Sequence, residues 1–302
     1  MENEKLLEEC TLCKRRCKVN RFKSLGACKA GYKVKVARAE LHFWEEPPIT
    51  FKGGSGTVFF SHCNLKCVFC QNHEISQEFK GLEISIERLA EIFLELQKKG
   101  AENINLVTPT HYVIQIIEAL KIAKKKGLNI PILYNTNGYD TLETIKLLEG
   151  FIDVYLPDFK YFKDEYALKY SKIKDYKENL IPILEEMFRQ VGPVKISEDG
   201  KILRGMIIRH LMLPGLLFDS KKVIDTIFSM FHDDVYISIM NQYTPMNKAS
   251  LYKEINKPLN PKHYEALIDY ATSLGVKNAF IQESGANSKS YVPSFKFEGV
   301  LK

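Results

Sequence analysis

From about residue 57 onward, short apolar runs alternate with longer stretches of helical period, and this alternation limits the fold more than any other feature of the chain. The strand candidates are TVFF (57–60), NINLV (103–107), PILYNT (131–136), IDVYLP (152–157), GMIIRHLML (205–213), VYISIM (235–240) and NAFIQ (278–282). Between them lie amphipathic segments. The clearest sets Leu89, Ile92, Phe93 and Leu96 on one face behind Ser85, whose hydroxyl suits an N-cap. Others run through Val113 to Lys126, Thr141 to Glu149, Ser220 to Phe231 and Pro261 to Leu274. Six or seven βα units of this kind either close into a barrel or open as a doubly wound sheet, and the pattern does not separate the two. In both, function gathers at the C-terminal ends of the strands.

Residues 1–50 fit no βα unit and are expected to form a separate module, ending at Pro47-Pro48 and the run Gly53-Gly54-Ser55-Gly56. The module carries Cys10-x2-Cys13-x3-Cys17-x10-Cys28, a four-thiol set that suits a closed metal site. Zinc there would be structural and would fold a segment too small for a core of its own. An auxiliary [4Fe-4S] cluster would relay electrons or bind substrate. The spacing leans to zinc, with Lys14, Arg15, Arg16 and Lys18 offsetting the thiolate charge.

A chain of 302 residues with 45% apolar content is sufficient for one large core. No run approaches the about 18 apolar residues that a membrane helix needs, and the charged start MENEKLLEEC carries no export or lipidation signal, so a cytoplasmic protein with no membrane partner is expected. Seven cysteines in a reducing compartment argue for metal ligation rather than disulfides. The net charge of +6 is modest, and runs such as Lys124-Lys125-Lys126 are expected to be solvated helix faces.

The TVFF strand runs directly into SHCNLKCVFCQNHEIS, which places Cys63-x3-Cys67-x2-Cys70 on the loop after the first strand. Three thiolates from one loop can each hold one iron of a [4Fe-4S] cube, leaving the fourth iron open to a ligand. The competing reading is a zinc site with His62 or His73 as fourth ligand.

This three-cysteine spacing after the first strand of a βα array, with aromatic Phe69 before the last cysteine, resembles the radical S-adenosylmethionine (SAM) superfamily. The longer string LHFWEEPPITFKGGSGTVFFSHCNLKCVFCQNHEIS is similar to the pyruvate formate-lyase activating enzyme-like branch, as are NLVTPTH, YNTNGY, YLPDFKY and SKSYVPSF. The resemblance implies a partial (β/α)6 TIM-like barrel over residues 51–302 and an oxidoreductase of the activase kind. SAM would chelate the open iron and, given an electron by a donor such as flavodoxin or ferredoxin, yield a 5′-deoxyadenosyl radical that abstracts hydrogen from a protein glycine or a small molecule. It further implies that Asn137 lies at the SAM site. Asp158 and Lys160, which alternate on one face of the fourth strand, would lie beside SAM with Lys160 on its carboxylate, and Arg209 would face the same ligand.

The chain departs from this branch at two places. Where the branch carries Gly-Gly-Glu-Pro after the second strand, this chain has Val107-Thr108-Pro109-Thr110. The hydroxyls of Thr108 and Thr110 can accept from an ammonium but bring no carboxylate. The additional cysteines also precede the three-cysteine loop instead of following it. A reading from another class is an RNA-binding or RNA-modifying metalloprotein, for which Phe22, Tyr32 and Trp44 supply few stacking groups and nucleic acid is not the expected partner. His62, His73, His111 and His210 fall near strand ends, and Asn241, Gln242 and Tyr243 follow the sixth strand; the sequence gives none of them a catalytic role.

Overall fold

The computed structural model describes residues 5–282 and 293–301; residues 288–292 of the SKSYVPSF string lie outside the described residues. Among the described residues the strands are β1 (Val34–His42), β2 (Ser55–Phe60), β3 (Leu82–Ile84), β4 (Ile104–Val107), β5 (Ile132–Thr136), β6 (Val154–Pro157), β7 (Lys195–Ile196), β8 (Ile202–Leu211), β9 (Tyr236–Met240) and β10 (Ala279–Ile281). They form one sheet in the order β10-β9-β8-β6-β5-β4-β2-β1-β3, with β7 paired to β8. From β2 to β10 the main path is parallel. β1 is antiparallel to both β2 and β3.

A doubly wound sheet reverses its strand order at a switch point. Here the parallel strands follow chain order without reversal, so right-handed crossovers lay their connecting helices on one face. This is the connectivity of a barrel wall, and the sheet stays open between its edges β10 and β3. All seven expected runs are strands, and Ala279–Ile281 adds one parallel strand to the six-unit expectation.

The helices Ile86–Lys98, Val113–Lys125, Leu142–Leu147, Leu217–Phe231 and Pro261–Leu274 match the amphipathic segments. Ser85 Oγ accepts the Arg88 backbone N–H at 3.1 Å, capping the first of them over its buried stripe. A further long helix, Tyr176–Val191, goes beyond the expectation. Leu180, Ile183, Leu184, Met187 and Val191 are buried at helical spacing, but the interior Pro182, which has no N–H to give, obscures the segment in the sequence.

Residues 1–50 are not one separate module. Val34–His42 is a strand of the sheet, held between β2 and β3, and its Val34, Val36, Ala37 and Ala39 are buried. The boundary expected near residue 50 therefore falls within the sheet structure, and only the cysteine segment before Val34 lies outside it. After β1 the chain turns inward. Ile49 is buried with Leu133, Val154, Leu156, Ile202 and Ile207, and Asn103 Nδ2 fixes its carbonyl at 2.7 Å. The segment 43–50 thus plugs one end of the sheet's inner face, and the strands' C-terminal ends remain for the site.

Candidate active site

The three-cysteine loop leaves β2 and is pinned by backbone bonds from both sides. Lys66 and Val68 donate to the carbonyls of Ser171 and Tyr170 at 3.1 and 2.8 Å, and Lys248 donates to Val68 at 2.8 Å. Each sulfur has a polar neighbour. Leu65 N–H and Asn137 Nδ2 approach Cys63 Sγ at 3.4 and 3.5 Å, Ser171 Oγ lies 3.0 Å from Cys67 Sγ, and Ser76 Oγ lies 3.3 Å from Cys70 Sγ. Burial pushes all three thiols up, Cys70 to about 11, and the charge of a Cys67 thiolate adds to the rise at Cys63 and Cys70. Lys160 offsets part of that rise at all three.

Neither histidine considered as a fourth zinc ligand turns to these thiols. His73 Nδ1 pairs with Glu78 Oε1 at 2.9 Å. The His62 ring stacks on Phe79 at 4.9 Å. Among the described residues, no three His, Cys, Asp or Glu side chains are grouped as a single-ion site.

Asn137 is held by the turn that ends β5. Gly138 takes φ +76 there, and a Cβ would meet Leu180 Cδ1 at 2.6 Å and the Asp158 carbonyl at 3.0 Å, so only glycine allows the close approach. Asn137 Nδ2 bonds Asn64 Oδ1 at 2.8 Å as well as approaching Cys63.

The charged residues named in the sequence come together. Asp158 and Arg209 are bridged in parallel just past β6. Lys160 Nζ lies 2.6 Å from Asp158 Oδ2, and Arg209 lies 2.9 Å from Asp158 Oδ1. Burial pushes the Asp158 carboxyl up, but the two cations outweigh it and hold the group below the usual carboxylate range. Burial likewise disfavours the charged Lys160, and Asp158 together with Cys67 more than reverses it. Arg209 also contacts Asn135 Oδ1 and Glu45 Oε2, the latter at 3.4 Å, and Asn105 Nδ2 donates to Glu45 Oε1 at 3.1 Å.

Thr110 is not part of this centre. Its hydroxyl lies 3.4 Å from Thr136 Oγ1 in a buried network on Asp140, whose carboxylate accepts from Thr136 at 2.6 Å and Tyr134 at 2.8 Å. Thr108 takes φ +60, a left-handed conformation that a β-branched residue rarely adopts and that glycine adopts freely. Phe69 is buried edge-on to Tyr243 at 5.8 Å, and Tyr243 gives its hydroxyl to the Ile255 carbonyl at 2.6 Å, which makes the pair packing. His111 and His210 are buried and bonded to the carbonyls of Ser61 and Phe159, both at 2.7 Å.

The N-terminal cysteines lie against the same loop. Arg15 Nε donates to the Asn64 carbonyl at 3.0 Å, Lys14 N–H to Tyr139 at 3.3 Å, and Cys13 bridges Asp140. Cys17 and Cys28 each bring Sγ within 3.4 Å of the point a Cβ on Gly26 would occupy. The basic residues expected to offset the thiols do something else: Arg15 serves carbonyls, Arg16 pairs with Glu143 and Lys18 with Glu9. The cation at the thiols is the buried Arg21, 3.7 Å from Cys10 Sγ and fixed by the Gly31 carbonyl at 2.6 Å. Phe22 and Tyr32 stack on each other at 4.7 Å, so they offer no spread platform for bases.

Asn64, Asn105, Asn135, Glu45, Glu46 and Arg21 were not singled out by the sequence reading. The two asparagines on strands carried a signal, as polar residues within otherwise apolar strand runs.

Residues 57–197 match the family described as the radical SAM superfamily. Over 280 residues the chain is 32% identical to the uncharacterized protein MJ0674 of Methanocaldococcus jannaschii, covering 88% of this chain and 75% of that one. Among solved structures it is similar to Streptococcus suis SuiB bound to S-adenosylmethionine, at 15% identity and a TM-score of 0.50, covering 74% of this chain and 49% of SuiB. SuiB bound to its precursor peptide SuiA gives a TM-score of 0.49 at 15% identity, covering 74% of this chain and 47% of that one. The chain thus spans about half the length of SuiB. No helix among the described residues is long and apolar enough to cross a membrane.

Proposed function

The chain belongs to the radical SAM superfamily, and on that premise we propose that it cleaves SAM reductively at a [4Fe-4S] cluster held by Cys63, Cys67 and Cys70. The observation that carries the proposal is the placement of three half-buried thiols beside the ion chain Lys160–Asp158–Arg209. The donor set fits the group: three soft sulfur ligands with no histidine between them, in a site where thiolates require added positive charge.

When bound, the reduced cluster supplies one electron to the SAM sulfonium, whose carbon–sulfur bond breaks to give methionine and a 5′-deoxyadenosyl radical. The residues of the chain bind and orient. Lys160 has three N–H donors and Asp158 takes one, so its ammonium can also bond the SAM carboxylate. Arg209 supports the same carboxylate, and Asp158 fixes both cations. Asn137 holds the loop at Cys63 through Asn64, and the apolar layer around Ile49 keeps water from the far end of the site.

The reaction we assign is hydrogen abstraction from a protein glycine, as an activase, or from a small molecule, with a flavodoxin- or ferredoxin-type protein as electron donor. We further assign Cys10, Cys13, Cys17 and Cys28 to a second metal, zinc or an auxiliary cluster, in the segment before β1. The deciding experiment is anaerobic reconstitution with iron and sulfide, followed by SAM and dithionite. Formation of 5′-deoxyadenosine that is lost in Cys67→Ala supports the reading; a reconstituted protein that forms none overturns it.

A further inference from the structure

A cavity of about 520 Å³ opens on the inner face of the sheet beyond Arg209. It is walled by Trp44 and Phe59, and by Glu45 and Glu46 from the segment that turns in after β1. Among the described residues its lining sets two carboxylates, Glu45 and Glu46, against one cation, Arg209, whose charge acts on both. Glu45 is satisfied, with one oxygen on Asn105 at 3.1 Å and the other on Arg209 at 3.4 Å. Arg209 is itself engaged by Asp158 and Asn135. Glu46 is 9% exposed, and its Oε2 is buried with no hydrogen-bond partner among the described residues. Its backbone cannot relax away, because its carbonyl accepts the Ile49 and Thr50 N–H groups at 2.8 and 3.2 Å in front of Pro47-Pro48.

A buried acceptor without a partner is destabilising unless something arrives to satisfy it. The complement of a surplus carboxylate between aromatic walls is a cation that also donates hydrogen bonds. We propose that Glu46 receives the protonated nitrogen of the substrate, an ammonium or guanidinium group, in a cavity joined to the SAM site through Arg209. This rests on the radical SAM reading for what then happens to the substrate, but not for the binding itself. The nitrogen comes from a free polyamine-like metabolite or from a basic side chain of a peptide, and the two sources share the same recognition.

The test is calorimetric titration of the full chain, with and without cluster and SAM, in two arms. One compares pentane-1,5-diamine with pentane-1,5-diol; the other compares a short peptide holding one lysine with its norleucine counterpart. At least one arm should show a preference of roughly ten-fold or more for the cation, and Glu46→Gln should remove it. The arm that shows the preference identifies the source. No preference in either arm of the wild type overturns the proposal without reliance on any variant, as does a preference that survives Glu46→Gln. Competition between the cationic probe and SAM also overturns it, since the carboxylate would then serve SAM's own ammonium. Absence of SAM cleavage would sink the radical reading alone, because the preference is measured on the unloaded chain as well.

Discussion

Lys160 Nζ lies 2.6 Å from Asp158 Oδ2, two residues away on the extended segment that leaves β6. Alternation puts both side chains on one face, and the bridge from Asp158 to Arg209 brings a second cation to the same carboxylate. The aspartate is therefore committed to its two partners, and the cations keep donors to offer a carboxylate ligand.

Lys160→Ala and Arg209→Ala should each weaken SAM binding while the cluster absorbance stays intact. Loss of one charge-assisted hydrogen bond corresponds to roughly 1.5 to 3 kcal/mol, or about ten- to a hundred-fold in affinity. Equilibrium binding of SAM to the anaerobic protein measures this, and unchanged affinity in both variants would remove these residues from the SAM site.

Cys67 is flanked by Ser171 Oγ at 3.0 Å and feels Lys160 more strongly than any other charge. Replacing it with alanine should lower bound iron and abolish 5′-deoxyadenosine. Ser171→Ala keeps all three sulfur ligands, so its cluster should assemble with a changed reduction potential, because hydrogen bonds to cluster sulfur tune that potential. Iron analysis and redox titration of both variants check the pair; a Cys67→Ala protein with full iron and wild-type turnover contradicts the ligand set.

The common loop of Cys63, Cys67 and Cys70 and the shared face of Asp158 and Lys160 were legible in the sequence, because one loop spacing and one strand alternation carry them. The open singly wound sheet was not, since only pairing order separates it from a doubly wound one. Glu45 and Glu46 also escaped. They reach the interior because β1 folds back on β2 and the chain then dives inward, a placement that no local period encodes. Arg21 was hidden for a similar reason: the basic run of residues 14–16 draws attention, yet the cation at the thiols stands apart from it. Thr110 fails in the opposite way, because its position past β4 suggests the site while its hydroxyl faces the Asp140 network.

For the N-terminal segment, metal analysis of the reconstituted chain should give zinc or iron beyond the cluster's complement, falling in Cys13→Ser and Cys28→Ser. Burial pushes both of these thiols up, Cys13 to about 12, so ligation should release protons and grow weaker as pH falls. A chelator should lower the unfolding temperature, since the bound metal's free energy is part of that segment's folding free energy. Four irons and no other metal per chain would refute the second site.

The last prediction concerns acid. Burial pushes His210 down to about 4 and His111 down to about 3, against an ordinary value near 6.5. Each ring is neutral in the folded protein and bonded to a backbone carbonyl, whereas the unfolded chain takes up a proton near the ordinary value. Their stabilisation is therefore fully present above pH about 6.5 and is lost as pH falls toward the depressed folded values. For His210 the full shift corresponds to roughly 3 kcal/mol, about 2 of which should be gone by pH 5. Glu45 and Glu46, raised by burial, act in the opposite sense, and Asp158, held low, contributes only at more acidic pH. The difference between wild type and His210→Gln isolates the histidine from these groups. Denaturant unfolding at pH 7, 6 and 5 should show the wild type losing more stability than the variant across this window. Parallel losses in the two proteins would mean that His210 carries its charge in the folded state.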